Sequence, residues 1–213
     1  MKKYAFCLSE KMSAENTLKE FAEFSRRLGW DGLIVLGDGS EDISKSAGIE
    51  IVSGVFLNPS NESELRKSLS KCRKTVEIIV AKCDFRCLDD RVDIVVPENP
   101  TQTDIRMMKN KSIFFALNFR ELFLSSGIKR VSVIKRMSDI AGVCSKENAV
   151  MLPVSPALSL RDVRGPSILS AFACALGSDK GEVNSSFKSL DERIERNRKR
   201  LSGGFVMKGV RKI

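Results

Sequence analysis

The sequence predicts a small or incomplete (β/α) barrel, and three observations carry that reading. Its apolar runs are near-continuous rather than alternating, as in strands buried on both faces of a parallel sheet. These runs alternate with stretches of helical periodicity. About seven such units fit into 213 residues, a length suited to one domain, read here as residues 1–213. A doubly wound open sheet shares these features, and periodicity alone does not separate the two.

The first strand is YAFCLS (4–9). Ser13 is placed to cap a helix whose apolar face is Leu18, Phe21, Ala22, Ser25 and Leu28, closed by Gly29. GLIVLG (32–37) and IEIVSGVFLN (49–58) read as strands. Asn61 and Glu64 form a capping-box start for a helix through Leu65 and Leu69. VEIIVAK (76–82) is a strand, followed by a short helical piece, DFRCLDD, and then the strand VDIVVPE (92–98). Residues 102–110 read as helix. SIFFALNF (112–119) is a strand leading into the helical turn RELFLSSG. Residues 128–145 form a helix with Val131, Ile134, Met137, Ala141 and Cys144 assigned to one face. AVMLPVS (149–155) is the last strand. Pro166 and Gly177 bound a helix in RGPSILSAFACALG, the expected asymmetry of start and stop. Val183, Phe187, Leu190 and Ile194 define a final amphipathic helix, broken by SGG (202–204).

The composition excludes more than it assigns. There is no histidine, hence no Ser-His or Cys-His nucleophile pair and no imidazole metal site. A carboxylate-only magnesium site stays open, but the composition argues against catalysis by this chain alone. Six scattered cysteines read as small buried hydrophobes, and Cys83-x3-Cys87 is not a zinc signature. No apolar run approaches the roughly 20 residues of a membrane span, and MKKYAFCLSEKM has too short an apolar stretch for a signal peptide. The expected location is the cytoplasm. The net charge is +9, and the tail 192–213 holds eight basic residues against two acids, about +6 of that total. Such a basic end points to a polyanion.

In a barrel, chemistry sits at the C-terminal ends of the strands. Here those positions offer Ser9, Glu10, Gly37, Asp38, Asn58, Lys82, Glu98, Asn118 and Ser155, a polar rim without the ligand set of a catalytic metal. LGDGSED (36–42) lacks a phosphate-loop pattern and carries acids that would repel phosphate, so it reads as a turn. Asp89 and Asp90 read as a solvated helix end. The basic groups offer more. Lys129 and Arg130 follow Gly127 in a turn, and Arg161 and Arg164 bracket LRDVRG ahead of a helix start, a seat suited to phosphate. With only Trp30 and Tyr4 beside the phenylalanines, recognition of structured RNA by shape and phosphate fits better than base stacking.

FALNFRELFLSSGIKRVSVIKRM (115–137), RVDIVVPE (91–98), LSLRDVRGP (158–166) and RIERNRKRLSGGFVMKGVRKI (193–213) together resemble the ribonuclease P protein component 3 family, archaeal relatives of a subunit of the eukaryotic nuclear enzyme. The family often carries a Pro ahead of its tail; SSFKSLDERIERN has none. The resemblance implies a barrel related to polymerase-and-histidinol-phosphatase-type phosphoesterases but without their metal site. It implies a non-catalytic, RNA-binding subunit of the enzyme that removes the 5′ leader of precursor tRNA. No cofactor is then held by this chain, and the RNA subunit works with Mg²⁺. The implied partners are ribonuclease P RNA, protein component 2 in a two-plus-two heterotetramer, the other ribonuclease P proteins and, through the holoenzyme, precursor tRNA. The family segments nominate Arg120, Lys129, Arg130, Arg161 and Arg164 for RNA contact. Charge density adds Arg196, Arg198, Lys199, Arg200 and Arg211. Leu122, Phe123 and Leu124 are candidates for docking component 2. About six phosphate contacts would give a salt slope of roughly −4. A general basic RNA-binding or ribosome-associated protein is the alternative, and a stand-alone barrel hydrolase would need metal ligands the sequence does not supply.

Overall fold

The computed structural model describes residues 1–8, 15–37, 48–82, 89–97, 100–202, 205–207 and 210–211, of which 15–17, 205–207 and 210–211 are described by their backbone. Seven strands form one parallel sheet: β1 (Tyr4–Leu8), β2 (Gly32–Leu36), β3 (Glu50–Leu57), β4 (Ile78–Ala81), β5 (Ile94–Val95), β6 (Phe114–Asn118) and β7 (Met151–Val154). Their spatial order is their chain order, and every neighbouring pair is parallel. A doubly wound sheet would reverse its order at a switch point. This one instead curls until its edges meet. Cys7 bridges Ala157 in parallel, with Leu8 N–H donating to Ala157 O and Ala157 N–H to Phe6 O, each at 3.0 Å.

Among the described residues seven α-helices accompany the sheet: α1 (Glu15–Arg27), α2 (Glu62–Cys72), α3 (Gln102–Asn110), α4 (Phe119–Phe123), α5 (Gly127–Glu147), α6 (Pro166–Ala175) and α7 (Lys180–Leu201). The apolar faces read from the sequence account for most of their packing. Leu18, Phe21, Ala22 and Ser25 of α1, Leu65 and Leu69 of α2, and Val183, Phe187, Leu190 and Ile194 of α7 are all buried. Asn61 accepts from Glu64 N–H at 2.9 Å, while the Glu64 carboxylate reaches back to Ser60 N–H at 2.8 Å. α7 runs unbroken through SSFKSLDERIERN, consistent with the absence of Pro there. Gly32 is required by close approach: a Cβ there would lie 2.3 Å from the Tyr4 ring.

Three expectations change, and one pairing is added. The strand expected over 92–98 is only Ile94–Val95, although Asp93 N–H still donates to Ile79 O and Val96 N–H to Ala81 O at its flanks; Pro97 has no N–H to donate. In α5 the buried stripe is Val133, Met137, Ile140, Ala141 and Cys144. Val131 points away from that stripe at 100° per residue and Ile134 falls at its edge, and they are 66% and 41% exposed. Lys129 and Arg130 sit in the first turn of α5 rather than in a turn preceding it. Beyond SGG, to which the sequence reading assigns no element, β8 (Phe205–Met207) and β9 (Val210–Arg211) pair antiparallel. Ser13, Cys83, Cys87, most of LGDGSED and most of DFRCLDD lie outside the described residues. Cys7 and Cys144 are buried, and burial pushes both thiols up to about 12. No described helix is long and apolar enough to cross a membrane.

Candidate nucleic-acid interface

The two ends of the barrel are built from charged residues in different arrangements. At the N-terminal end, α7 meets the strand starts. Asp93, fully buried, accepts from Arg73 Nη1 and Nη2 at 2.6 and 3.1 Å, from Ile79 N–H at 2.9 Å, from Arg193 Nη1 at 3.2 Å and from Asn197 Nδ2 at 3.1 Å. Asn197 also donates to Glu77 O at 2.6 Å and accepts from Arg73. Arg193 donates to Ser112 O and lies over the Phe114 ring. Its burial lowers its pKa, against the attraction of Asp93. Arg198 is bonded to Glu77 and Glu50. Burial opposes its charge, but those two carboxylates more than offset it and its pKa ends above the usual value. Glu50 likewise loses solvation, yet Lys2 and Arg198 hold its carboxyl below the usual range. Tyr4 donates toward Glu50 and Asp191, at 3.2 and 3.1 Å. Arg200 donates to Arg73 O, and its Nε and Nη2 have no partner among the described residues.

At the C-terminal end the strand tips enclose a cavity of about 380 Å³. Among the described residues Lys82, Asn118, Arg120, Glu121 and Arg136 supply its polar lining. Arg136 pairs with Glu121. Asn118 Oδ1 accepts from Arg120 N–H at 3.0 Å and starts α4 directly from the tip of β6. Beside the cavity, the 3₁₀ turn Leu160–Asp162 is held by a Ser159–Asp162 capping box. Arg164 lies 4.5 Å over the Phe123 ring, and Phe123 packs edge-on against Phe119 at 4.7 Å. Trp30 Nε1 donates to Arg164 O at 2.8 Å and fixes that segment from the connection between α1 and β2. Outward from this corner run exposed apolar groups: Phe123, Leu124, Ile128, Val131 and Ile134.

The ten nominated cations therefore do not form one surface. Arg120, Lys129, Arg130, Arg161 and Arg164 gather around the α4–α5 corner at the C-terminal rim. Lys129, Arg130 and Arg161 are exposed there. Arg130 Nε donates to Ser125 O at 2.8 Å, Arg164 is half-buried, and Arg120 lines the cavity. Arg196, Arg198, Lys199 and Arg200 lie at the opposite end on α7. Only Arg196 and Lys199 of these are exposed, because Arg198 and Arg200 turn inward. Arg211 falls on β9, and its side chain is outside the described residues. Of the apolar trio, Phe123 and Leu124 are exposed while Leu122 packs partly against the core. Among the rim positions, Ser155 is buried and donates to Asp162 O, Asn58 is exposed, and Ser9, Glu10, Asp38 and Glu98 lie outside the described residues. Asp89 is not a free solvated acid: the Arg91 side chain and backbone N–H bond it and hold its carboxyl well below the usual range. Sequence reading missed the network around Asp93. Its signals were an acid inside the apolar run VDIVV and an asparagine inside a run of arginines.

A sequence model described as RNase P subunit p30 matches residues 3–202. Ribonuclease P protein component 3 from Methanosarcina barkeri is 26% identical over 97% of this chain and 94% of its own length. Its namesake from Natronomonas pharaonis is 23% identical over 92% and 89%. A chain of the cryo-EM structure of archaeal ribonuclease P with mature tRNA superimposes with a TM-score of 0.80 at 17% identity, covering 99% of this chain and 98% of that one. Histidinol phosphate phosphatase from Lactococcus lactis shares the fold more distantly, with a TM-score of 0.52 at 10% identity over 84% of this chain and 95% of that one.

Proposed function

The chain belongs to the RNase P subunit p30 family, and from that premise we propose how it serves as a protein subunit of ribonuclease P, the enzyme that processes tRNA 5′ ends. It acts by binding. The RNA subunit with Mg²⁺ performs the hydrolysis, and this chain holds no cofactor for it. A chain with 36 Lys and Arg and no His is better equipped to neutralise phosphates than to move protons near neutral pH.

The observation that carries this reading is the α4–α5 corner, where an exposed apolar strip lies beside exposed basic groups. Phe123, Leu124, Ile128, Val131 and Ile134 are each at least 41% exposed, more contiguous apolar surface than a solvent-facing helix needs. Protein component 2 docks on that strip, in a two-plus-two heterotetramer. Lys129, Arg130 and Arg161 at its edge face RNA phosphates, and Arg196 and Lys199 extend the contact from the other end of the barrel. Arg164, pinned over Phe123, is a preorganised member of the corner. The assembly works in the cytoplasm.

A reconstitution tests this. Ribonuclease P RNA, the other protein subunits, Mg²⁺ and precursor tRNA are combined with and without the chain, and leader release is followed. Omission should lower cleavage or raise the Mg²⁺ requirement; unchanged cleavage would refute the role. Five phosphate contacts give a slope of log K against log salt of about −3.5, and a slope near zero would remove the RNA contact.

A further inference from the structure

Two faces of the α4–α5 corner meet in one side chain. Arg164 is half-buried, and its guanidinium carbon lies 4.5 Å from the centroid of the Phe123 ring, a ring that is 49% exposed at the start of the apolar strip. The same guanidinium donates through Nη1 to Arg161 O, and to Val163 O at 2.9 Å. Arg161 is one of the exposed bases of the corner. Its backbone is therefore held by a group that rests on the strip.

The remainder of the segment 158–166 is anchored from elsewhere. Asp162 Oδ2 accepts from Leu158 and Ser159 N–H at 3.1 and 3.0 Å, and Asp162 O accepts from Ser155 Oγ at 3.1 Å. Val163 is buried. Gly165 lies so close to the connection between α1 and β2 that a Cβ there would stand 3.0 Å from Leu28 O. Trp30, itself 4% exposed, bonds Arg164 O. These anchors fix the backbone of Arg164, and its guanidinium then fixes Arg161 O. A cation over an aromatic face is at least twice as strong once water is removed from the pair. A partner that covers Phe123 thus strengthens the stacking of Arg164, while Nη1 keeps its two carbonyl acceptors and is not stranded.

We propose that Arg164 is a positioning residue that couples the protein face of the corner to its RNA face. Covering Phe123 tightens the turn that presents Arg161 to phosphate, so protein partner and RNA bind cooperatively, a coupling that rests on the docking of component 2 on the strip. By linkage, RNA on Arg161 strengthens the partner's hold by the same factor.

The test uses the full chain, component 2 and ribonuclease P RNA. Adding component 2 should slow hydrogen exchange of the 158–165 amides about fivefold. Arg164→Lys keeps the charge but not the planar group that stacks on the ring while bonding the turn, and it should lose the slowing when compared at equal saturation with component 2. Phe123→Leu, a second variant in case the first does not fold, removes only the ring face and should do the same. In RNA binding by the complex, Arg161→Gln should cost about threefold more in the parent than in the Arg164→Lys background. Slowing that survives in both folded variants, or an equal cost of Arg161→Gln in the two backgrounds, overturns the proposal. Component 2 that binds, is weakened by Ile128→Asp and yet leaves the turn unslowed overturns the coupling and spares the docking. Binding indifferent to Ile128→Asp overturns the docking and the coupling with it.

Discussion

At the N-terminal end of the barrel, Asp93, Glu50, Glu77 and Asp191 stand beside Arg73, Arg193, Arg198 and Lys2, and nearly every charge has an opposite within bonding distance. At the C-terminal end, among the described residues, Lys129, Arg130 and Arg161 stand in solvent around the strand tips. Both ends are rich in arginine, but at the first most of them turn inward to carboxylates, whereas at the second these three cations face solvent. Position, not count, decides which of the 36 basic residues can meet RNA. The arginine-dense helix α7 closes the bottom of the barrel with its inward arginines and leaves Arg196 and Lys199 to the outside.

The sharpest way to break this comparison is at Asp93. Asp93→Ala leaves Arg73 and Arg193 buried without their shared carboxylate, a loss of about 3–5 kcal/mol, or on the order of 10 °C in Tm, read by calorimetry. A variant as stable as the parent would mean that the N-terminal network does not hold the barrel. Next comes the apolar strip. Val131→Asp and Ile128→Asp replace exposed groups, so stability should stay within about 0.5 kcal/mol. Affinity for component 2 should fall by about 2 kcal/mol, some thirtyfold, if the strip is the centre of that interface. Titration calorimetry would show it, and unaltered affinity would move the interface elsewhere.

A smaller effect separates the two ends directly. Exchanging Lys129, Arg130 and Arg161 together for Gln should reduce the salt slope of RNA binding by about 2 without changing Tm. The double change Arg196→Gln and Lys199→Gln should reduce it by about 1.4. Arg198→Gln, by contrast, should lower Tm, because it strands Glu50 and Glu77, and leave the salt slope nearly as it was. An equal slope change for all three variants would erase the distinction between paired and solvent-facing cations.

The barrel itself was legible in the sequence because each strand buries both faces and therefore writes an uninterrupted apolar run. β2 as GLIVL and β6 as FFALN leave little choice. The caps at Asn61, Pro166 and Gly177 were readable because their chemistry is local. The candidate surface was only half legible. Charge density marks a region, but whether a given arginine faces solvent depends on what folds against it from a distant part of the chain. Glu50 lies 148 residues from Arg198, and Asp93 lies 100 residues from Arg193. Val131 and Ile134 failed for a related reason. In a helix with apolar residues on two sides, periodicity admits more than one stripe, and only packing identifies the buried one.

The smallest expected effect is of pH, and it sets the boundary of the comparison. With no histidine in the chain, no side-chain type whose ordinary pKa lies between about 5.5 and 7 is present, so Tm and the salt slope should both be flat there. Below that window carboxylates decide. Glu50 is held below its ordinary value by Lys2 and Arg198 despite its burial. Glu147, bonded by Arg106 and Gln102, is held down to about 2. A carboxyl depressed in the folded state contributes stability that is full above its unfolded pKa of about 4.3 and is lost as pH falls through the folded value. Stability should therefore drop only below about pH 4. Glu147→Gln should lower Tm slightly at pH 6 and match the parent more closely near pH 2, where the parent has lost the same interaction. A transition in Tm near pH 6.5 would require a titrating group that the paired N-terminal network does not contain.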